Sequence, residues 1–142
     1  MAIHGCKGCL AGGKNPDSPC VQKDDMSRIY PEYRAADLIV LASPMYYWGF
    51  SGQLKCTIDR LFAVTESDPE WKTPKKSAVL LMASEGSGKE NDEPVIRYYQ
   101  SLLNFLEWED RGSLIAGGVL RIGDIEGKPE LRKAYELGKS IH

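Results

Sequence analysis

Short apolar runs that alternate with amphipathic segments are the feature that most constrains the fold of this chain. Residues 37–43 (DLIVLAS) and 76–84 (KSAVLLMAS) have the length and continuous apolar character typical of buried strands in a parallel sheet. A third run, LIAGGVLRIGD from position 114, is a weaker strand pattern because it contains two adjacent glycines. The sequence predicts an open parallel α/β sheet with helices on both faces and strands near 37–43, 77–83 and 114–120.

The segments before, between and after these runs have apolar residues at helical spacing and are predicted to be helices. A first helix is expected to begin at Asp24 or Asp25, with Pro31 kinking it. A second helix is predicted in SGQLKCTIDRLFAV from Ser51, a third over residues 94–110, and a last one with Pro129 near its first turn. The order of elements is therefore helix, strand, helix, strand, helix, strand, helix.

Length and charge narrow the class of protein. A chain of 142 residues fits one domain, which we divide into a cysteine-containing loop at 1–23 and an α/β body at 24–142. The net charge is −2 and no segment concentrates basic residues, which argues against a nucleic-acid partner. The sequence contains neither an apolar run of the roughly 18–20 residues that a membrane span needs nor a signal peptide, so we expect a cytoplasmic protein.

An unusual aromatic loop, SPMYYWGFSG at residues 43–52, follows the first predicted strand. Neither a helical nor a strand period explains its neighbouring aromatic side chains. In open α/β sheets ligands bind at the carboxyl ends of the strands, where this loop and the SEGSGKEN segment from Ser84 both begin. The pattern is typical of a site for a flat apolar ligand, or alternatively of a core or subunit interface.

Three segments carry a resemblance to a known family. CVQKDDM, ADLIVLASPMYYWGFSGQLKCTIDR and the closing AYELGKSI resemble the NADPH-dependent FMN reductases of flavodoxin-like fold, which include iron–sulfur flavoproteins. The resemblance extends over essentially the whole chain. Its most specific part is the Ser-Pro-x-Tyr loop followed by Leu-Lys and Asp-Arg, at residues 43–60.

This resemblance implies a flavodoxin-like fold and an FMN-dependent oxidoreductase that passes hydride from NAD(P)H through FMN to a small-molecule electron acceptor. It also implies that two loops contact the flavin ring, through the following residues: Ser43, Pro44, Met45, Tyr46, Tyr47, Trp48 and Gly49 in the first loop, and Ser84, Glu85, Gly86 and Ser87 in the second. No catalytic side chain is required, because the flavin carries the chemistry. The alternative is a flavodoxin-like module without flavin that acts in oligomerisation or interaction.

The chain departs from the family at its beginning. Such proteins start with a strand and a Gly/Ser/Thr-rich phosphate loop at a helix N-terminus, and neither pattern is present here. We therefore expect an N-terminally truncated form, lacking the first strand, the phosphate loop and the first helix. The AGGK segment at 11–14 is not in strand–turn–helix context, although Gly12–Lys14 remains a place to look for a phosphate contact. Weak or absent FMN binding follows from this departure.

The N-terminal cysteines leave several alternatives open. Cys6 and Cys9 match the first two ligands of a C-x2-C-x2-C cluster motif and Cys20 the fourth, but Gly12 stands at the third position, which argues against an iron–sulfur cluster. His4 with the three cysteines would make a Cys3His zinc set. A reactive dithiol or a loop of free thiols are the remaining interpretations.

Assembly into a homodimer or a higher homo-oligomer is expected on two grounds. Members of the family commonly dimerise near the flavin, and DLIVLAS would be an uncovered sheet edge without the missing strand. Lys55 and Asp59 are expected to pair on a helix surface, whereas Arg60 and Asp59 are expected to hold partners in an interface. Cys56 is interpreted as a packing residue, and the terminal His142 is given no role.

Overall fold

A computed structural model describes residues 1–13 and 15–141 of the chain, so Lys14 and His142 lie outside the described residues. Its elements in chain order are α1 (Met26–Ala35), β1 (Leu38–Pro44), α2 (Gly52–Arg60), α3 (Phe62–Glu66), β2 (Ser77–Ala83), α4 (Lys89–Leu106), β3 (Glu109–Ala116) and α5 (Pro129–Ser140). None of the helices in this described part is both long enough and apolar enough to cross a membrane.

The chain divides into two compact units. One comprises Met1–Asp37 and Gly52–Lys76 and holds α1, α2, α3 and the cysteine loop. The other comprises Leu38–Ser51 and the chain from Ser77 onward, and it holds the sheet, α4 and α5.

A three-stranded parallel sheet in the order β1-β2-β3 forms the second unit. Pro44 pairs with Ala83 and Ala83 pairs with Ala116, so the carboxyl ends of all three strands meet at one edge. The prediction of an open parallel sheet of flavodoxin-like fold is thereby confirmed, and the first two strands lie within one residue of their predicted bounds. Four residues of β2, Ala78, Val79, Leu80 and Met82, are buried, so this central strand is covered on both faces.

The strand β1 is an edge strand whose two faces differ in burial. Leu41 and Ser43 on one face are buried, whereas Val40 on the opposite face is 48% exposed. A continuous apolar run is typical of a strand covered on both faces, and the structure corrects that prediction for β1 within this unit. The exposed face and unpaired edge therefore belong to the same strand.

The third strand lies earlier than its sequence pattern predicts. It runs over Glu109–Ala116 rather than 114–120. The reason is the end of α4, where Glu107 adopts the left-handed conformation (φ 54°) and stops the helix at Leu106 instead of near 110. Gly118, with φ 65°, then turns the chain away where the strand was expected to continue.

The helices of the first unit also differ in detail from expectation. The single helix predicted from Ser51 is interrupted at Leu61, which separates α2 from the one-turn α3. Pro31 lies inside α1, and the helix continues through it to Ala35. Asp25 is the residue at the N-cap position but forms no capping hydrogen bond; Asp24 Oδ1 instead accepts the Met26 N–H at 3.1 Å.

Candidate functional site

The aromatic loop is a tight hairpin turn. Tyr46 and Gly49 exchange both backbone hydrogen bonds, at 3.1 and 3.0 Å, around the two central residues Tyr47 and Trp48. Both central residues have positive φ, at 48° and 59°, which is the geometry of a type I′ turn. That turn prefers Asn-Gly, because bulky side chains are strained at positive φ. Two adjacent aromatic residues held in this conformation mark the turn as a functional candidate.

The turn presents three of its aromatic side chains to solvent. Tyr46 is 60% exposed, Tyr47 is 97% exposed and Trp48 is 55% exposed. Phe50, the last aromatic residue of the run, has the opposite role: it is buried, with its ring 5.2 Å from that of Tyr98 on α4. The run therefore combines one anchor with an exposed aromatic surface.

Two serines close the base of this loop. Ser43 Oγ donates to the Pro44 carbonyl at 2.8 Å and accepts the Ser51 N–H at 2.9 Å, and both serines are buried. Met45 N–H donates to the Ala83 carbonyl at 2.8 Å and so continues the β1–β2 pairing past the end of β1. These contacts fix the position of the turn relative to the end of β2.

The second predicted loop, Ser84–Ser87, is tied to the end of β3. Ser84 N–H donates to the Ala116 carbonyl at 2.9 Å, and the Val119 N–H donates to the Ser84 carbonyl at 2.8 Å. A Cβ atom added at Gly117 would lie 2.9 Å from the Gly86 carbonyl oxygen, so only glycine allows this approach. In the described part of the chain, the amides of Glu85, Gly86 and Ser87 donate no hydrogen bond and are available to a ligand.

Asn91, on the first turn of α4, connects the two loops. Its Nδ2 lies 3.4 Å from Ser84 Oγ and 3.9 Å from Met45 Sδ. A Cβ atom added at Gly86 would lie 2.2 Å from Asn91 Oδ1. Sequence analysis missed this residue; the available signal was its position in the helical turn that directly follows a Gly-rich loop at the sheet edge.

A cavity of about 400 Å³ opens beside these loops in the same unit. It shares Ser43 and Pro44 with the aromatic loop, and its remaining wall comes from the ends of the three strands and from α5. Among the described residues, Glu130 is the one charged residue of the lining. The Lys133 ammonium 3.0 Å away lowers the pKa of that carboxyl, so Glu130 is held ionised in an ion pair, and the described lining offers no cation to a phosphate group.

The N-terminal cysteines and Arg60 lie in the first unit. Cys6 and Cys9 are exposed, Cys20 is half-buried, and all three line a small cavity that also includes Arg60. Arg60 was expected to hold a partner protein, but its guanidinium is buried and pairs with Asp24 of the same chain. The expected surface pair of Lys55 Nζ and Asp59 Oδ1 is present at 2.6 Å.

The cysteine loop does not form a metal-ligand set in the described part of the chain. Among the described residues no group of three or more His, Cys, Asp or Glu side chains is placed to hold a metal ion. His4 Nδ1 instead lies 4.0 Å from Asp24 Oδ2.

Comparison with known proteins agrees with the geometry of the sheet edge. The family model of NADPH-dependent FMN reductases matches residues 5–108. An iron-sulfur flavoprotein of Archaeoglobus fulgidus is 33% identical over 137 residues, which cover 96% of this chain and 57% of that protein. An FMN-dependent NADH:quinone oxidoreductase of Cronobacter sakazakii is 33% identical over 125 residues, covering 79% of this chain and 62% of that protein.

Structural comparison supports the same fold. The Trp repressor binding protein from Bacillus subtilis superposes with a TM-score of 0.60 at 23% identity, over 82% of this chain and 68% of that one. The chain spans about three fifths of the length of the curated relatives named above. Since the family model covers most of the chain, the chain belongs to the NADPH-dependent FMN reductase family.

Proposed function

We propose that this chain carries the ring-binding loops of an FMN-dependent oxidoreductase that takes hydride from NAD(P)H and passes electrons to a small acceptor. Membership of the FMN reductase family supports the reaction class. The observation that carries the proposal is the joining of the two predicted loops, through the Met45 amide on the Ala83 carbonyl and through Asn91 between Met45 and Ser84.

The residues of these loops have the properties that an isoalloxazine ring requires. The ring is flat and apolar with polar edges, so it needs an apolar face and a few placed amides. Tyr46 and Trp48 would supply the face, and the unused amides of Glu85–Ser87 would meet the polar edge. FMN, when bound, supplies the hydride and electron transfer; the protein positions the ring and excludes water from it.

The phosphate of FMN has no comparable support in this chain. The neighbouring cavity is apolar and carries the Glu130 carboxylate. The predicted place for a phosphate contact, Gly12–Lys14, includes Lys14, which lies outside the described residues. We therefore propose that binding rests on the ring, with FMN held weakly by this chain alone.

An interaction module without flavin is the second candidate, because the same exposed side chains, above all Tyr47, could cover a partner. A homodimer or a higher homo-oligomer is part of either proposal.

One titration separates the candidates: quenching of flavin fluorescence by the wild-type chain, by Tyr46→Ala and by Cys56→Ala. We expect Tyr46→Ala to weaken flavin binding roughly threefold to tenfold, from the ~0.5–1.5 kcal/mol of one aromatic contact.

The control variant Cys56→Ala lies in α2 and should bind flavin as the wild type does. Equal and negligible effects of the two substitutions, with wild-type fold by circular dichroism, would instead favour the interaction module.

A further inference from the structure

The cysteine loop lines a small cavity of about 30 Å³. Three of the four cysteines of the chain, Cys6, Cys9 and Cys20, lie in its wall together with Arg60. The three cysteines therefore share one cavity, although among the described residues they are not placed as a metal-ligand set.

Arg60, in the wall of this cavity, carries an unused hydrogen-bond donor. Its side chain is 1% exposed; Nη1 donates to His4 carbonyl and Asp24, and Nη2 donates to Asp24. Its Nε–H has no hydrogen-bond partner in the described part of the chain. A buried donor without an acceptor is costly, so a nearby acceptor, above all an anionic one, would be stabilised here.

Cys20 lines the same cavity as Arg60. Burial by itself lowers the pKa of the Arg60 guanidinium, but its bonds to Asp24 and the nearby Tyr30 and Cys20 side chains raise it above the ordinary value. Arg60 therefore stays positively charged beside Cys20. A cation at the cavity wall stabilises the negative charge that passes between sulfur atoms during thiol–disulfide exchange.

Cys6 and Cys9 provide a second thiol. Cys6 Sγ already accepts the Gly8 N–H at 3.4 Å, within the Cys6–Cys9 turn. Both cysteines are exposed, so a small disulfide can reach the cavity from their side.

A four-thiolate cluster does not fit this arrangement. The position where the family motif has its third cysteine is Gly12, and a Cβ atom there would lie 2.7 Å from the Pro19 carbonyl oxygen. The next residue, Gly13, donates to that same carbonyl at 2.7 Å and has φ 77°, which holds the loop closed against it. The third ligand position is thus filled by backbone.

We propose that Cys20 is the nucleophile of a thiol–disulfide site for small disulfides, with Cys6 or Cys9 as the second thiol, in place of a metal cluster. The Cys20 thiolate attacks one sulfur of the small disulfide; the S–S bond breaks, one small thiolate leaves and Cys20 carries a mixed disulfide. The second cysteine then gives up its proton and attacks Cys20 Sγ, which releases the other small thiolate. The protein dithiol is oxidised by two electrons and the small disulfide is reduced to two thiols.

The experiment treats the reduced full chain with glutathione disulfide, traps the remaining thiols with an alkylating agent, and maps the products by mass spectrometry. In the wild type we expect an internal disulfide between Cys20 and Cys6 or Cys9, with Cys56 unmodified. Cys56→Ser, whose side chain is outside the cavity wall, should leave the rate unchanged. Cys20→Ser should slow oxidation roughly tenfold or more, because its thiolate is the attacking group.

A double variant, Cys6→Ser with Cys9→Ser, should stop at the mixed disulfide on Cys20, since the resolving thiol is gone. An internal disulfide that maps to Cys6–Cys9 or to Cys56 in the wild type would overturn the proposal, and this result needs no variant to fold. So would oxidation of a folded Cys20→Ser chain at the wild-type rate, or stoichiometric assembly of an iron–sulfur cluster from added iron and sulfide.

Discussion

Asp24 and Arg60 form a nearly fully buried ion pair, with Asp24 Oδ2 2.8 Å from Arg60 Nη1 and Asp24 Oδ1 3.2 Å from Nη2. The carboxylate also accepts the backbone N–H groups of His4 and Met26, so one side chain ties the N-terminal loop to the start of α1 and to the end of α2. The Tyr30 hydroxyl adds a bond to the Arg60 carbonyl at 3.1 Å.

Removing one partner of this pair should destabilise the chain strongly. Asp24→Asn leaves the Arg60 charge buried without a counter-charge, and we expect a loss of ~3 kcal/mol or more in the free energy of unfolding. The matched control is Asp59→Asn, which breaks the exposed pair with Lys55 and should cost less than ~1 kcal/mol. Urea denaturation of both variants measures the difference; similar small losses would contradict the structural role of Asp24.

The Asp24–Arg60 pair should also make the stability of the chain depend on pH. The hydrogen bond from Arg60 lowers the pKa of Asp24 from 3.8 to about 2, more than burial raises it. A carboxyl with a lowered pKa in the folded state contributes its full stability above pH ~4, and that contribution, ~2 kcal/mol, is lost as the pH falls toward 2. Unfolding measured across this window should show a smaller acid dependence in Asp24→Asn; an identical dependence would contradict the assignment.

Relief of strain in the aromatic turn should stabilise the fold and weaken the site. Replacing Tyr47→Asn and Trp48→Gly places the preferred residues at the two positive-φ positions, and we expect a gain of ~1 kcal/mol in unfolding free energy. Flavin binding should fall roughly threefold to tenfold, because Trp48, one of the two rings proposed to face the flavin, is gone. Glu107→Gly, at another positive-φ position, is the control: it should stabilise the chain without changing flavin binding. A destabilised double variant would contradict the strain argument.

Substitutions at Asn91 and at Gly86 should both weaken flavin binding, because both change the position of the Asn91 side chain. Gly86→Ala would push the Asn91 side chain away from Ser84 and Met45, so it should reduce flavin binding about as much as Asn91→Ala does. Gly52→Ala is the control, since a Cβ atom there has no neighbouring atom within 4 Å. Fluorescence titration and thermal melts together distinguish a displaced side chain from a loss of fold; unchanged binding in both site variants would remove Asn91 from the site.

The chain alone should discriminate poorly between FMN and riboflavin. Each amide bond to a charged phosphate is worth ~1.5–3 kcal/mol, and in the proposed binding mode the unused amides of the described site residues meet the ring edge instead. We expect a largely colourless protein that binds both flavins within about threefold of each other. Stoichiometric FMN retained through gel filtration would show a phosphate site that these loops do not include.

Association of the chain follows from its exposed strand. β1 has an unpaired edge and an exposed Val40, and we expect at least a dimer at micromolar concentration by light scattering. Val40→Lys should shift that equilibrium toward the monomer. A monodisperse monomer of the wild type would contradict this expectation.

The sequence by itself determined those elements that depend only on their own residues, namely the strands β1 and β2. The runs at 37–43 and 77–83 predicted β1 and β2 because continuous apolar residues with β-branched members fit a parallel strand in almost any context. The aromatic and Gly-rich loops were placed at one sheet edge for the same reason, since parallel strands bring their carboxyl ends together.

Tertiary structure alone decided the features that depend on residues distant in sequence. The bounds of β3 followed from the left-handed end of α4, which no apolar pattern encodes. Arg60 resembled an ordinary charged residue on a helix until Asp24, 36 residues away, was seen beside it. Asn91 joins two loops that are far apart along the chain. Periodicity reports the environment of one segment, whereas the partner of a buried charge or amide is set only when separate segments pack together.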